Sequence, residues 1–392
     1  MRSDASTRKR HERMIVVHLC VLLFVIAGYV ITNEGRASSF VMLPAIQTES
    51  AQESLLLDAA TSGERVLVVG EQGHILYSDN SGADWTHADV PVSLAITAVT
   101  FAGTDGAWAT AHDGVLLQST DRGQTWQTKL TGVDVARLSA AAAEKKVAKL
   151  QAAVEQATPE TLEDLEWALD DAAFAFEDAT AAVADGITTP LLDVWFADAR
   201  NGYVLGAYGI LLQTSDGGET WNLQSDRLDN PDKFHLYGIA RSLAGTLLVT
   251  GESGTLLRSP DGGQTWERPD SPYQGSFFGT VAAADGGLLA FGLKGNVFRS
   301  VDEGATWSAV DTGDQRTLLS GVTQADGKIV LVGSAGAVLS SEDHGTSFKA
   351  ISTTGNRVYS GVAATADGKL LLVGFGGVSS IDSSAAAGDR HE

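Results

Sequence analysis

The chain has 392 residues, 44% of them hydrophobic, with 43 glycines, a composition that suits one large repeat-built domain with appendages better than several ordinary domains. A net charge of −22 and a pI near 4.6 set the surface against nucleic acid, whose phosphates it would repel. The single cysteine, Cys20, lies in an apolar stretch, so the rest of the chain has no disulfide, no cysteine metal site and no thiol nucleophile.

The first thirteen residues carry Arg2, Arg8, Lys9, Arg10 and Arg13 against Asp4 and Glu12. Residues 14–31, MIVVHLCVLLFVIAGYVI, follow at once. As a helix this stretch rises about 27 Å, close to the hydrocarbon thickness of a bilayer. Basic residues before it, with nothing comparable after it, place residues 1–13 in the cytoplasm. No good small-x-small cleavage site follows, GRASS at 35–39 being a poor one, so an uncleaved anchor is expected rather than a removed signal peptide. The expectation is a single-pass inner-membrane protein with its cysteine-free acidic part in the periplasm.

Beyond the anchor one phrase recurs. It reads TSDGGETW at 214–221, SPDGGQTW at 259–266 and SVDEGATW at 300–307. STDRGQTW ends at Trp126, a worn SDNSGADW at Trp85, and SEDHGTSF at Phe348. The closing aromatics step by 41, 95, 45, 41 and 41 residues, so the 95 is one repeat plus an insertion, and a fixed period marks a repeat architecture. Within a repeat, short apolar runs bounded by Gly, Asp and Asn read as strands; for the fourth repeat these are Tyr237–Ala240, Thr246–Gly251, Thr255–Ser259 and Thr265–Arg268. Four strands per repeat is the signature of a β-propeller blade. The phrase then falls between third and fourth strands, where its Asp accepts backbone amides, its Gly permits positive φ and its Trp wedges between sheets. A residue demanded in every repeat serves the blade, not chemistry.

Six repeats are complete, and a seventh, residues 358–382, offers three strands before a polar tail at 383–392. An open ring would leave bare sheet edges, so residues 39–46, SFVMLPAI, are expected to supply the missing outer strand. The fold class is therefore all-β: a seven-bladed β-propeller over residues 39–382, with an N-terminal transmembrane helix and an inserted α-helical hairpin at 134–185. That insertion is rich in Ala, Glu, Lys and Leu, with twelve acids against four bases. Leu138, Val147, Leu150 and Val154 share one face, and Leu162, Leu165, Leu169 and Phe176 another. Thr158-Pro159 reads as a helix start, and the two antiparallel helices join at Ala157–Thr158. Trp167 and Phe174 fall off the main stripe and are candidates for partner contact.

The insertion joins the outer strand of blade two to the inner strand of blade three, on the face carrying the turns between second and third strands. Those turns read GEQGH, AHDGV, GAYGI, GESGT, GLKGN, GSAGA and GFGGV. Their frame repeats while the residues inside differ, and variation on a rigid scaffold is where binding is found. The candidate contact residues are Glu71, His112, Asp113, Tyr208, Glu252 and Lys294. Channel-side positions of the first strands are small, at Ala98, Gly238, Gly279 and Gly361, with Asp193 the exception.

The repeated phrase is the Asp-box, so a sialidase-like glycosidase is one alternative. Such chemistry needs an Arg cluster, a Tyr–Glu pair and an acid, and no variable turn carries Arg. Arg258 and Arg299 sit on strands directly before the phrase, and Glu71 and Glu252 lie three blades apart. No metal-binding, phosphate-loop or serine-elbow pattern is present. No catalytic residue, metal or cofactor is expected. A sensor binding a small ligand in the channel is a further alternative.

Strand pairs of the form GYVLGAYGILLQTSDGGETW over residues 39–382, outside the insertion, resemble the photosystem II stability/assembly factor family of Asp-box propellers, and more closely its relatives in non-photosynthetic bacteria. That resemblance implies a non-catalytic scaffold that holds membrane-protein intermediates during assembly. The chain departs from it in the anchor, the acidic hairpin and the lack of a traceable Arg-rich patch. The expected partner is thus a membrane protein or membrane-protein complex, such as a transporter or export system, and not a nucleic acid.

Overall fold

A computed structural model describes residues 43–185, 187–351 and 356–382. The predicted anchor at 14–31, the basic tail and the polar tail at 383–392 lie outside the described residues. The rest is mostly β: the described strands form seven antiparallel sheets in chain order, five of four strands and two of three. In each, hydrogen bonding runs between consecutive strands with no crossover, as short hairpin connections require. The fourth sheet differs from expectation at its edge. Its strands are Leu236–Arg241, Leu247–Gly251 and Leu256–Ser259, and Thr265–Arg268 is reduced to one bridge between Arg258 and Glu267.

The burial pattern explains the stacking. The second strand is buried at every position in Arg65–Gly70, Gly202–Gly206, Leu247–Gly251, Leu288–Gly292 and Ile329–Gly333, so both faces of those sheets meet protein. Apolar side chains collect between neighbouring sheets. Leu67, Val69 and Ile75 of the first sheet pack with Trp126 and Val99 of the second, while Leu371 and Val373 of the seventh pack with Leu56, Val66 and Val68 of the first. Each Asp-box aromatic is part of such a seam. Trp221, for example, meets Trp108 of the preceding sheet edge-on at 5.6 Å between ring centroids, a favoured aromatic geometry.

The Asp-box turn is built the same way each time. In the third sheet the Thr214 hydroxyl donates to Asp216 at 2.8 Å and accepts from Gly218 N at 2.9 Å. Asp216 in turn accepts from the Thr220 amide at 3.0 Å and the Thr220 hydroxyl at 2.6 Å. These donors favour the charged carboxylate, and the Thr220 hydroxyl above all holds Asp216 down to about 2. Asp302 is held down to about 2 by its Thr306 in the same way. Sheets are also tied across their seams. Arg258 donates to Glu303 O and Arg299 to His344 O, so these arginines staple one sheet to the next sheet's turn.

The expected outer strand of the seventh sheet is not supplied by residues 43–46. Residues 39–42 lie outside the described residues; of the rest, Ala45 N donates to Val90 O at 3.0 Å and Ile46 N to Gln72 O at 3.2 Å. This segment therefore sits on the turns of the first sheet, and the seventh sheet keeps three described strands, the outermost being Gly377–Asp382. The seam between last and first sheets is made by their first strands, where the Ser360 hydroxyl donates to Leu56 O at 2.7 Å.

Two helices interrupt the pattern, α1 at Gly132–Glu155 and α2 at Leu162–Asp185. The start of α1 is fixed by a capping box: Thr131 accepts from Asp134 N at 3.3 Å and its own amide donates to Asp134 at 3.0 Å. Ahead of α2 the Thr158 carbonyl accepts from Leu162 N at 3.0 Å, so the turn through Pro159 feeds straight into the helix. Val135, Ala136 and Val147 of α1 and Ala172 of α2 are buried, while Glu144, Glu155, Glu163, Asp170 and Glu177 are exposed.

Candidate functional site

The seven variable turns share one mechanical plan. The first residue inside each turn donates its amide to the carbonyl just ahead of its sheet's first strand. The pairs are Glu71 to Leu55, His112 to Ala95, Ala207 to Pro190, Glu252 to His235, Leu293 to Ser276, Ser334 to Thr317 and Phe375 to Val358, at 2.8–3.1 Å. The second residue adopts left-handed backbone, with φ of 56° at Gln72, 57° at Asp113, 56° at Tyr208, 52° at Ser253, 58° at Lys294 and 50° at Ala335. Glycine would occupy such a position with least strain. In six of the seven turns a residue with a side chain stands there instead, the exception being Gly376 with φ of 91°, so the frame holds the turn and six tips display a side chain.

This plan separates the sequence candidates. Tyr208 and Lys294 are tips and are exposed, as is His112 beside its tip Asp113. Asp113 is half-buried because the foot of α1 lies against its turn; a Cβ on Gly132 would stand 2.6 Å from Asp113 O. Glu71 and Glu252 are turned back onto the frame: Glu71 accepts from Leu55 N at 3.0 Å and Glu252 from His235 N at 3.3 Å. Their carboxylates reinforce the latch that their own amides make. Tyr208 and Glu252 come together through His235, whose Nδ1 accepts from Tyr208 N at 3.1 Å and whose ring meets Tyr208 edge-on at 4.8 Å. Tyr237 lies 6.2 Å from His235, and Phe278 lies 5.3 Å from Tyr237. An aromatic path thus leads from an exposed tip to the first strand of the fifth sheet. Glu71, His112 and Lys294 stand on separate turns and are not gathered with it.

Asp193 has a partner that the sequence reading missed. Every first strand carries an irregularity at the same register, between Leu56 and Asp58 in the first sheet and Leu191 and Asp193 in the third. Asp58 accepts from Val99 N of the second sheet at 2.9 Å, and Asp193 accepts from Ile239 N of the fourth at 3.0 Å. Each carboxylate therefore bridges to the following first strand. Surrounding protein pushes Asp58 up to about 6; burial and then the nearby charge of Asp58 push Asp193 up to about 8. Both keep partial solvent contact along the first strands. The signal was legible, since both begin a first strand with Leu-Leu-Asp.

A groove of about 540 Å³ separates the hairpin from the third sheet and the connection after it. Ala142 and Ala143 of α1, Ala175, Ala179 and Ala182 of α2, and Tyr208 line it, together with Lys146, Lys233, Asp226 and Asp229. Trp167 and Phe174 lie elsewhere on α2, exposed by 69% and 70%. Among the described residues no group of three or more His, Cys, Asp or Glu is placed to hold a metal ion.

The model of the photosynthesis system II assembly factor YCF48 family matches residues 177–377, just over half of the chain. The chain belongs to the YCF48 family. The photosystem II assembly lipoprotein Ycf48 of Parasynechococcus marenigrum is 44% identical over 48 residues, a match spanning 12% of this chain and 14% of that protein. Among solved structures, a YCF48 bound to D1 peptide superposes with TM-score 0.57 at 13% identity, covering 88% of this chain and 98% of that one. The WD40 propeller domain of Doa1 gives 0.58 at 9% identity over 89% and 98%. A GH74 enzyme of Niastella koreensis gives 0.54 at 13% over 87% and 53%. These likenesses place the YCF48-family chain among propeller-like folds.

Proposed function

We propose that this chain is a non-catalytic binding scaffold that holds a membrane protein while its complex is assembled. The observation that carries this reading is the family match over residues 177–377; the relative solved with a D1 peptide supports a peptide segment as what is held. In this reading the seven sheets are seven blades of one closed propeller. Residues 14–31 anchor it in the inner membrane, the propeller stands in the periplasm, and the partner is a transporter or export component. Contact is made by the tips His112, Asp113, Tyr208 and Lys294 and by the hairpin residues Trp167 and Phe174, while Glu71 and Glu252 hold the frames of their own turns and Asp193 ties its first strand to the next.

Crosslinking of the full chain in native membranes, followed by mass spectrometry, should recover one membrane protein in excess. Deleting residues 134–185 should leave a folded ring that no longer recovers it. Recovery of no membrane protein by the full chain would overturn the reading. A second reading, a small-ligand sensor, has the Asp58–Asp193 pair in its favour, because two carboxylates beside the first strands suit a cationic ligand. Thermal stabilisation by one amine from a panel, lost in Asp58→Asn, would favour it. The glycoside hydrolase alternative has no such observation, since Glu71 and Glu252 already serve the backbone.

A further inference from the structure

The outward side of α2 is unlike any other surface described. Between Leu162 and Asp185 the helix carries Glu163, Asp164, Glu166, Asp170, Asp171, Glu177, Asp178 and Asp185, and not one Lys or Arg. Residues seven apart lie two turns apart on nearly the same side of a helix. Trp167 and Phe174 have that spacing, and both are exposed. Asp170, Asp171, Glu163, Glu177 and Asp178 fall within a turn of them on the same side, all of them exposed. The opposite side, with buried Ala172 and half-buried Leu165, Leu169 and Phe176, is spent on packing. A large aromatic left in water forgoes burial worth about 1.5–3 kcal/mol, and two in register on one helix form a ridge.

We propose that this ridge docks a positively charged amphipathic helix of a partner polypeptide. The proposal rests on the binding reading above and names the chemistry of the partner segment. Three features select this occupant. Two aromatics spaced by seven match apolar residues at the same spacing on a helix laid alongside, as in a coiled-coil seam. The flanking carboxylates stand where such a helix would carry Lys or Arg beside its apolar seam. The same carboxylates turn away an acidic membrane surface, which attracts basic helices. The ridge rides on a helix whose inner side is packed against α1, so the surface is formed before the partner arrives and little ordering is lost on binding.

The test uses the full chain in detergent and three synthetic probes of about three heptads. One is a Leu/Lys helix with its leucines in heptad register, one the same sequence with Glu for Lys, and one a scrambled Leu/Lys peptide of identical charge. Calorimetry should show binding of the first alone, weakened roughly tenfold or more between low and high salt. Trp167→Ala with Phe174→Ala, and separately Asp170→Lys with Asp171→Lys, should each weaken it at least about tenfold, as loss of an interface anchor does. Leu243→Ala, an exposed apolar residue far along the chain in the fourth sheet, should leave it unchanged. Circular dichroism melts of all variants should coincide with the parent, since these side chains touch little. Equal binding of the scrambled or acidic peptide, or indifference to both ridge variants, overturns the proposal. If the ridge variants still recover the membrane partner by crosslinking, the scaffold reading stands and this proposal falls. If the full chain recovers no membrane protein yet the Leu/Lys helix binds through the ridge, the reverse holds.

Discussion

Two sets of turns punctuate the first six sheets, and they spend their residues differently. In the Asp-box turns side chains are consumed internally: hydroxyl to carboxylate, carboxylate to amide, tryptophan into the seam. In the turns on the other side the backbone does the holding, with one amide latching the first strand and one left-handed residue at the tip. The first set must repeat its letters because its side chains are the fastening. The second repeats only its shape, so its tips are free to vary. Constraint and variation have been sorted onto different atoms.

Substitutions can break or sharpen that contrast. The largest effect is expected at Gly218, an Asp-box glycine with φ of 82° whose added Cβ would stand 2.1 Å from the Trp108 ring. Gly218→Ala should cost about 2–4 kcal/mol, from overpacking and the left-handed backbone together, read as a lowered denaturant midpoint. Next comes Asp193, whose carboxyl is raised from its ordinary range to about 8. Its folded form holds a proton that the unfolded chain releases near pH 4. Stability therefore falls as pH rises from about 4 through 8. Asp193→Asn keeps an acceptor for Ile239 N and removes that loss. Allowing for water beside the first strands, it should stabilise the protein by about 1–3 kcal/mol at pH 8 and much less at pH 5. A parallel pair of melting curves at the two pH values checks it.

Thr131→Ala removes the capping box of α1 and should cost about 1 kcal/mol, seen as faster hydrogen exchange in α1 with the sheets unchanged. Asp302 has the opposite sign from Asp193. Its carboxyl is held down to about 2, so its contribution is present above pH 4 and is lost as pH falls from about 4 through 2. Asp302→Asn should flatten the acid limb of the stability profile. The smallest effect is at the tips: Lys294→Ala should change stability by no more than about 0.5 kcal/mol. A larger loss there would mean that the tips also fasten the frame.

Much of this architecture is written in the sequence because repetition makes it redundant. Six Asp-boxes at a near-constant step disclose the strand order, and the Ala-rich interval discloses two helices. The latch of Glu71 and Glu252 was not legible, because a Glu in a variable turn looks the same whether its carboxylate faces water or its own backbone. Asp58 was missed although Leu-Leu-Asp opens both first strands, since its partner lies 135 positions away (193 − 58) and only the fold brings them near. The seat of residues 43–46 was misjudged for a related reason. Bare sheet edges call for cover, but the amides of Ala45 and Ile46 go to Val90 O and Gln72 O.

The two feet of the hairpin nearly coincide. An added Cβ on Gly132 would lie 2.2 Å from Ile187 O, where the chain returns to the third sheet. The excursion therefore leaves and re-enters through one doorway, as an insertion must if its host is not to be pried open. The join is not loose, because Val135 at the foot of α1 is buried among Leu191, Val204 and Ile210 of the third sheet, so the far ends of the helices are where length or sequence can change at least cost to the sheets. The strain of carrying forty-eight helical residues is thereby confined to a single short gap between the second sheet and the third.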